Sequence, residues 1–380
     1  MKKTLQISSF VLLAICSLVV CKKPYEPPVI KGTTNFLVVD GSIGCGNNAV
    51  TTITLSRSKA LGDSILFSPE LHAVVTVEQE GGNSFNVAEQ ARGIYRSQHL
   101  NLDADKKYRL KITTAGNREY VSGYTAGKIS PPIDSLSWKQ EGDVTISVHT
   151  HDPLNNTRYY RWDYIETWNY ASIYSGAYGV NNGLIFVKDS TTQTDSCWRT
   201  GNSTNIILGS SIALSEDVIS DLPVALIPQH DERISKGYSI LVTQYAISED
   251  AFRYLQLIQK NTQQLGTLFD AQPSQLKGNI QSAADPDEPV IGFITASTAT
   301  EKRIFIRNRQ LTDWHYAPNL QYCGSILTIL QNPVNYLIWD YADPSFGPYY
   351  FITGGGIAIT KKACLECTEQ GGTNVKPAFW

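Results

Sequence analysis

The sequence lacks an excess of positive charge, since 32 Lys and Arg stand against 35 Asp and Glu and give a formal net charge of −3. Binding to nucleic acid rests on clustered Lys and Arg that neutralise phosphates. We therefore expect no nucleic-acid partner. The chain also lacks a GxSxG nucleophile elbow, an HExxH zinc helix and a phosphate-binding loop. These absences favour a protein with no catalytic residues, no metal and no cofactor.

Histidine is scarce as well, with 6 in 380 residues, and the densest set of metal-ligand types is His149-Thr150-His151-Asp152. On a strand, His149 and His151 would share a face, and zinc accepts both imidazole and carboxylate ligands. Pro153 ends such a strand at once, however. We therefore predict a turn at the strand end that Asp152 caps. A carboxylate pair brought together by folding could still make a hydrolase, because 35 acidic residues leave that alternative open.

The residues that are abundant favour strands. There are 20 Tyr, 12 Phe and 7 Trp, and 42% of the chain is hydrophobic, which is enough for two cores. Short alternating runs with turn signals predict a mainly β protein with two immunoglobulin- or fibronectin-like β-sandwich domains. The pair Pro131-Pro132 separates them, giving an N-terminal sandwich over residues 35–129 and a β-rich domain over residues 130–380 with long loops. Tyr108, six residues after Leu102, has the spacing of a tyrosine corner.

The N-terminus has the pattern of a bacterial lipoprotein. Two Lys precede an apolar run over residues 5–20, and the run ends at Cys21. We predict a signal peptide over residues 1–20, lipidation at Cys21, and a proline-rich tether over residues 21–34. Val20 stands where the lipidation signal usually has a small residue, so an uncleaved or unacylated anchor is the alternative.

One helix is predicted inside the second domain, over residues 248–265. Ser248 has the residue type of an N-cap, and Glu249 and Asp250 follow in the first turn, where acidic side chains favour the helix dipole. Leu255 and Ile258 begin an apolar stripe at helical spacing. We expect that stripe to pack on a sheet.

Five cysteines remain after the signal peptide and Cys21 are removed, in a compartment where disulfides persist. Four of them are predicted to form disulfides whose pairing the sequence leaves open: Cys197, Cys323, Cys364 and Cys367. Cys45 is left over. Cys364 and Cys367 form a CxxC, but zinc ribbons need a second such pair.

The strand YYRWDYIETW carries aromatic rings at alternate positions, and a stretch rich in Gly, Asn and Ser follows it over residues 170–205. We interpret the rings as core residues facing an opposing sheet. The alternative is an exposed surface that binds a glycan or a peptide, together with the loops after it. The candidate ligand-contact residues are Trp168, Tyr170, Tyr174 and Tyr178. The C-terminal Phe379 and Trp380 are predicted to be pinned to the sheet.

Three long segments carry a family resemblance: KNTQQLGTLFDAQPSQLKGNI, DPDEPVIGF and the terminal CLECTEQGGTNVKPAFW. They resemble the DUF4249 lipoproteins of Bacteroidota. The resemblance implies a secreted, lipid-anchored protein of the cell envelope that is often encoded near TonB-dependent outer-membrane transporters, with no known activity. We therefore expect a non-catalytic lipoprotein anchored to one side or the other of the outer membrane, acting as an accessory or substrate-capture partner of such a transporter. A lipoprotein that binds a glycan or peptide alone, and a hydrolase, are the alternatives.

Overall fold

The structure is a computed structural model that describes residues 35–59, 68–263, 277–330, 343–353 and 355–380. The predicted signal peptide, Cys21 and the tether lie outside these residues, as do the last two positions of the predicted helix. Within the described part of the chain, no helix has the length and apolar character needed to cross a membrane.

The elements follow one another along the chain as three groups. The first strands are β1 (Leu37–Gly44), β2 (Gly46–Ala49), β3 (Thr52–Arg57), β4 (Val74–Gln79), β5 (Ser84–Ala91), β6 (Ile94–Ser97), β7 (Leu100–Leu102), β8 (Lys107–Thr113), β9 (Glu119–Ser122) and β10 (Thr125–Lys128). Next come β11 (Ile133–Glu141), β12 (Asp143–Asp152), β13 (Tyr159–Ala171), β14 (Tyr178–Asn181), β15 (Leu184–Val187), β16 (Ser196–Asn202), β17 (Ile207–Ser210), β18 (Asp217–Ile227), β19 (Gly237–Ala246) and α1 (Glu249–Gln263). The last group is β20 (Ile280–Ser282), β21 (Thr295–Ser297), β22 (Ala299–Arg307), β23 (Leu327–Leu330), β24 (Phe346–Ile352), β25 (Gly356–Lys361) and α2 (Lys362–Leu365). Short 3-10 helices cover Glu232–Ile234, Asn308–Gln310, Leu320–Cys323 and Cys367–Gln370.

The N-terminal strands form a closed barrel of eight strands in the order β1-β3-β6-β5-β4-β8-β10-β21, with β21 returning to β1. Alternate side chains such as Leu37, Val39 and Tyr108 point inward and are buried, so the interior is a filled core. The expected sandwich over residues 35–129 is therefore wrong, because β21 pairs in parallel with both β1 and β10 and closes the gap between them. The tyrosine-corner bond nevertheless forms: the hydroxyl of Tyr108 donates to the carbonyl of Asp103 at 2.8 Å.

The second group forms two facing sheets, β11-β12-β18 and β16-β13-β19-β22, which we call the sandwich. Its core contains the inward-facing side chains of both sheets, including Trp162, Tyr160 and Tyr238. The alternation along β13 explains this, since Tyr160, Trp162, Trp168 and Tyr170 are buried on one face. The interpretation of these rings as core residues is confirmed.

The connection between β19 and β22 reaches from the sandwich to the barrel. It begins with α1, where Ser248 Oγ accepts a hydrogen bond from the amide of Ala251 at 3.2 Å, as predicted for an N-cap. It then supplies β20, which pairs with β9, and β21, which closes the barrel. Of residues 280–297, which the sequence placed with the second domain, β21 thus belongs to the barrel and β20 extends its sheet through β9.

A small third sheet, β23-β25-β24, packs against the hairpin of β14 and β15. Two disulfides hold this region: Cys323 with Cys364, and Cys197 with Cys367. The prediction of disulfides among these four cysteines is confirmed, and Cys45 is the free, buried thiol.

The C-terminal tail lies on the outward face of the sandwich, as predicted. The ring of Trp380 meets those of Trp198 and Phe305 with centroids 6.4 and 5.8 Å apart. The Arg303 guanidinium lies 3.7 Å from the centre of the Phe379 ring. The tail therefore covers one end of this face and leaves the other end to the barrel.

Candidate functional site

A cleft of about 800 Å³ lies where the barrel, α1 and the outward face of β13, β19 and β22 meet. Its size is within the range of about 300–1,000 Å³ usual for ligand pockets. We call it the cleft. Its walls include Val38, Asp40, Arg96, Arg161, Asp163, Thr243, Tyr245, Leu255, Ile258, Ile291 and Glu301.

The sandwich supplies a charged wall. Arg161 and Asp163 lie on the face of β13 opposite to the buried rings, and Arg161 donates to Asp163 at 2.6 Å. The guanidinium also lies 5.0 Å from the centre of the Tyr245 ring, which is its neighbour across β13 and β19. Burial acts to lower the pKa of Arg161, but the Asp163 carboxylate, with Tyr245 and Asp40, raises it overall. The arginine is therefore firmly charged and held in place.

Thr243 and Glu301 continue this wall beside Asp163, since the three residues are register neighbours across β13, β19 and β22. The Thr243 hydroxyl donates to Glu301 at 3.3 Å. Burial, with the nearby Asp163 carboxylate, raises the pKa of Tyr245 to about 12. Tyr245 therefore stays a neutral phenol at physiological pH.

The barrel wall contributes Asp40 from β1 and Arg96 from β6. Both side chains are exposed, because they occupy the outward positions of strands whose alternate residues fill the barrel core. Among the described residues, the side chains of Arg96 and Asp40 form no hydrogen bond and no ion pair. Within that part of the chain, both side chains therefore keep their hydrogen-bonding capacity for a ligand.

The remaining wall is aliphatic. Leu255 and Ile258 of α1 and Ile291 of the following connection are half-buried along the cleft. Three of the aromatic rings at the cleft have neighbours: Tyr254 meets Phe293 with centroids 5.5 Å apart, and the Arg161 guanidinium lies 5.0 Å from the centre of the Tyr245 ring. The cleft thus combines charged groups of both signs with an aliphatic side.

A short loop, residues 202–206, closes one end of the cleft. The amide of Ser203 donates to the carbonyl of Tyr164 at 2.9 Å, and Ser203 Oγ accepts from the Tyr164 amide at 3.1 Å. Gln259 of α1 donates to the carbonyl of Ile206 at 2.7 Å. The loop is therefore fixed to both the sandwich and the helix.

The predicted ligand-contact aromatics do not come together as one exposed surface. Trp168 is 9% exposed and Tyr170 is fully buried, with its hydroxyl donating to the Cys367 carbonyl at 2.8 Å. Tyr174 and Tyr178 are half-buried; Tyr174 stacks on Tyr349 and Tyr178 meets Phe351 edge to face. A direct role for these four residues in binding stays a prediction.

A smaller pocket of about 270 Å³ does lie beside them. It is lined by Ala171, Ser172, Ile173, Glu232, Ser235, Lys236, Tyr316, Pro318 and Gln370. Burial raises the pKa of Glu232, although Arg199, 3.9 Å away, opposes the shift. The pocket lies next to the loop after β13 and to Gln370 near the tail, and a ligand site there stays a prediction.

The histidine cluster lies at a strand end that turns at Asp152. Asp152 accepts hydrogen bonds from the amides of Leu154, Asn156 and Thr157, which confirms the predicted cap. His151 pairs with Asp134 instead, Nδ1 to Oδ2 at 2.7 Å. In the ranges that the structure describes, no three His, Cys, Asp or Glu side chains are grouped as metal ligands.

Sequence reasoning missed the cleft. The alternation of β13 placed Arg161 and Asp163 on the face away from the core, and this unusual charge pair in a strand was the one available signal. Asp40 and Arg96 carry no such signal, because their meeting with the sandwich depends on the tertiary arrangement.

Comparisons with other proteins give a family but no activity. No curated protein matches the chain. Among solved structures, the Yersinia pseudotuberculosis adhesin InvE is 14% identical with a TM-score of 0.17, and the match covers 56% of this chain and 55% of the adhesin. The chain thus spans about half the length of that adhesin, and so low a TM-score carries no argument. The family model described as "Domain of unknown function (DUF4249)" matches residues 22–303, well over half of the sequence. The chain belongs to the DUF4249 family.

Proposed function

We propose that this protein is a non-catalytic lipoprotein of the outer membrane that captures a ligand in the cleft and delivers it to a TonB-dependent transporter. The observation that carries the proposal is the cleft itself. The barrel, the sandwich and a helix build its walls, and its volume and mixed polarity suit a small organic ligand.

The charged wall supports binding rather than reaction. Arg161 neutralises Asp163, and Thr243 donates to Glu301, so both carboxylates of the charged wall have partners within the protein, and Asp40 of the barrel wall is the carboxylate of the cleft left for a ligand. A glycosidase-like hydrolase would need one carboxyl group with a raised pKa opposite a second carboxylate. Glu232, whose pKa is raised, lies in the smaller pocket and not in the cleft.

The membrane anchor and the transporter are parts of the proposal that rest on the sequence. The signal-like residues 1–20, Cys21 and the membership of the family support them. Acylation of Cys21 by more than one chain would give stable attachment. A captured ligand would then be held close to an outer-membrane transporter.

We also propose that the sandwich belongs to the immunoglobulin- or fibronectin-like class. The sheets β11-β12-β18 and β16-β13-β19-β22 follow one another along the chain as A-B-E and C′-C-F-G strands do in such folds. In that scheme the cleft uses the outward face of the C, F and G strands.

The experiment extracts the full chain from its own membranes and measures its intact mass, with and without reduction, beside its co-purifying proteins. We expect a chain that starts at acylated Cys21, two disulfides, and a recovered transporter. An unacylated chain in the soluble fraction would overturn the anchor. Extraction that recovers no transporter would overturn the partnership.

The second candidate is a lipoprotein that binds a glycan or peptide alone, through the smaller pocket near Ser172 and Gln370. The sequence-predicted Trp168 and Tyr170 lie beneath that region, and Tyr174 lies close to it along the chain. Loss of ligand binding on Tyr174→Ala, with binding kept when the cleft is filled by Ile258→Trp, would favour this candidate.

A further inference from the structure

We infer that the ligand of the cleft is a short peptide with free amino and carboxyl termini and an aliphatic side chain between them. This inference rests on the proposed function of the cleft. Three observations support it: two charged residues of the cleft have no partner among the described residues, these two residues are several positions apart, and one wall of the cleft is aliphatic.

Among the residues that the structure describes, the unpaired cation of the cleft is Arg96. Arg161, the other arginine there, is bonded to Asp163 at 2.6 Å, and its guanidinium lies 5.0 Å from the centre of the Tyr245 ring. Arg96 is exposed on the barrel wall and forms no bond with any described residue. A guanidinium in this position suits a planar carboxylate, which it can bind with two parallel hydrogen bonds.

The free anion is Asp40. It is exposed on the same outward face of the barrel, and its negative charge contributes to the raised pKa of Arg161. No described side chain donates a hydrogen bond to it. A protonated amine would therefore find in Asp40 an acceptor that the protein leaves open.

The register of the barrel sets the spacing of the two residues that carry these charges. Asp40 pairs with Thr54 and Arg96 with Thr52, so the two residues are two strands and two positions apart. With strands about 4.8 Å apart and about 3.4 Å per residue, their Cα atoms are separated by about 12 Å. An extended peptide of about four residues spans that distance.

The apolar side of the cleft favours a peptide over a sugar. A sugar ring binds best to an open aromatic face, whereas Arg161 lies over the Tyr245 ring and Phe293 is tilted against the Tyr254 ring. Leu255 and Ile258 instead offer a half-buried aliphatic surface opposite the charged wall. A leucine or valine side chain would bury its apolar area there.

The test is calorimetry of the full chain with the tetrapeptide Ala-Leu-Leu-Ala in four forms: free termini, N-acetylated, C-amidated, and both. We expect the free form to bind most tightly and each cap to weaken binding about tenfold, the usual size of a charge-assisted bond. Arg96→Gln should weaken the free peptide about tenfold and leave the C-amidated peptide unchanged. Asp40→Asn should likewise weaken binding of the free peptide about tenfold and leave binding of the N-acetylated peptide unchanged.

Two controls separate this inference from the proposed function. Arg92→Gln removes an exposed arginine of the preceding turn that does not line the cleft, and should change nothing. A glycan panel is run on the wild type and on Ile258→Trp, which fills the cleft. The inference is overturned if the peptide binds equally well with free and with capped termini and equally well to Arg96→Gln. It is also overturned if no peptide binds and a glycan binds instead. Loss of that glycan binding in Ile258→Trp would still support the cleft as a ligand site. If Ile258→Trp changes the binding of no compound, both proposals fail.

Discussion

Replacing Gln244 with Leu should destabilise the sandwich, because the Gln244 side chain bonds the sandwich core to the chain segment that leaves the barrel. It is fully buried, and its amide donates to the Pro131 carbonyl at 2.8 Å and to Thr150 Oγ1 at 3.1 Å. Its oxygen accepts from Trp162 Nε1 at 2.9 Å. The bonds join β19 to the chain that leaves the barrel, to β12 and to the central tryptophan of the core.

The magnitude follows from which partners keep a bond. The Pro131 carbonyl still accepts from Thr300 at 2.9 Å, and the Thr150 hydroxyl still donates to Pro132 at 3.0 Å. The Trp162 N–H is left buried without an acceptor, which costs about 1–3 kcal/mol. With the loss of the other bonds, we expect the free energy of unfolding to fall by about 2–4 kcal/mol.

The assay is urea unfolding followed by tryptophan fluorescence, with the loss read from a lower midpoint at unchanged slope. Gln256→Leu, at an exposed position of α1, is the control and should change stability by less than about 0.5 kcal/mol. Trp162→Phe removes the orphaned donor, so the double variant should lose less than the sum of the single variants. Additive losses, or a Gln244→Leu midpoint equal to that of the control, would refute the reasoning.

Three further predictions concern single side chains. The hydrogen bond that His151 donates to the Asp134 carboxylate, together with the charge of that carboxylate, raises the pKa of His151 above its ordinary value of 6.5. This pair therefore stabilises the fold below pH 6.5, and its contribution is lost as pH rises through the folded pKa. NMR titration should show a lower His151 pKa in Asp134→Asn, and an equal pKa would contradict the pairing. Burial, aided by the nearby Asp103 carboxylate, raises the pKa of the Cys45 thiol to about 12. Iodoacetamide at pH 8 should therefore leave Cys45 unmodified until urea unfolds the chain. Labelling of the folded protein would show that the thiol is accessible and contradict this prediction. Ser248→Ala should lower the free energy of unfolding by about 1 kcal/mol, because it removes the cap bond to α1. Ser248→Asp should keep the wild-type stability, because its carboxylate can accept the same bond. Equal stabilities of the two variants would argue against the cap.

Much of the local structure could be predicted because its causes are local. The cap at Ser248 and the acidic first turn gave the start of α1, which runs over Glu249–Gln263. The alternation of rings in β13 gave its buried face, and the cysteine count in an oxidising compartment gave the disulfide cysteines and the leftover Cys45. In each case neighbouring residues contain the whole signal.

The barrel and the cleft could not be predicted because their causes are distant in sequence. The strand that closes the barrel, β21, has three residues and pairs with strands more than 160 positions earlier. So short a strand has no usable periodicity. Asp40 and Arg96 become part of a site only when Arg161 and α1 are placed opposite them, and no pattern within β1 or β6 reports that placement.

The most direct test of ligand capture is native mass spectrometry of the full chain extracted from its own membranes, comparing the wild type with Ile258→Trp and Gln256→Trp. Ile258 lines the cleft, whereas Gln256 is exposed on the same helix and does not line it. The proposed function predicts a bound small molecule in the wild type and in Gln256→Trp, and its absence from Ile258→Trp. A molecule that stays bound to Ile258→Trp as it does to the wild type would contradict it.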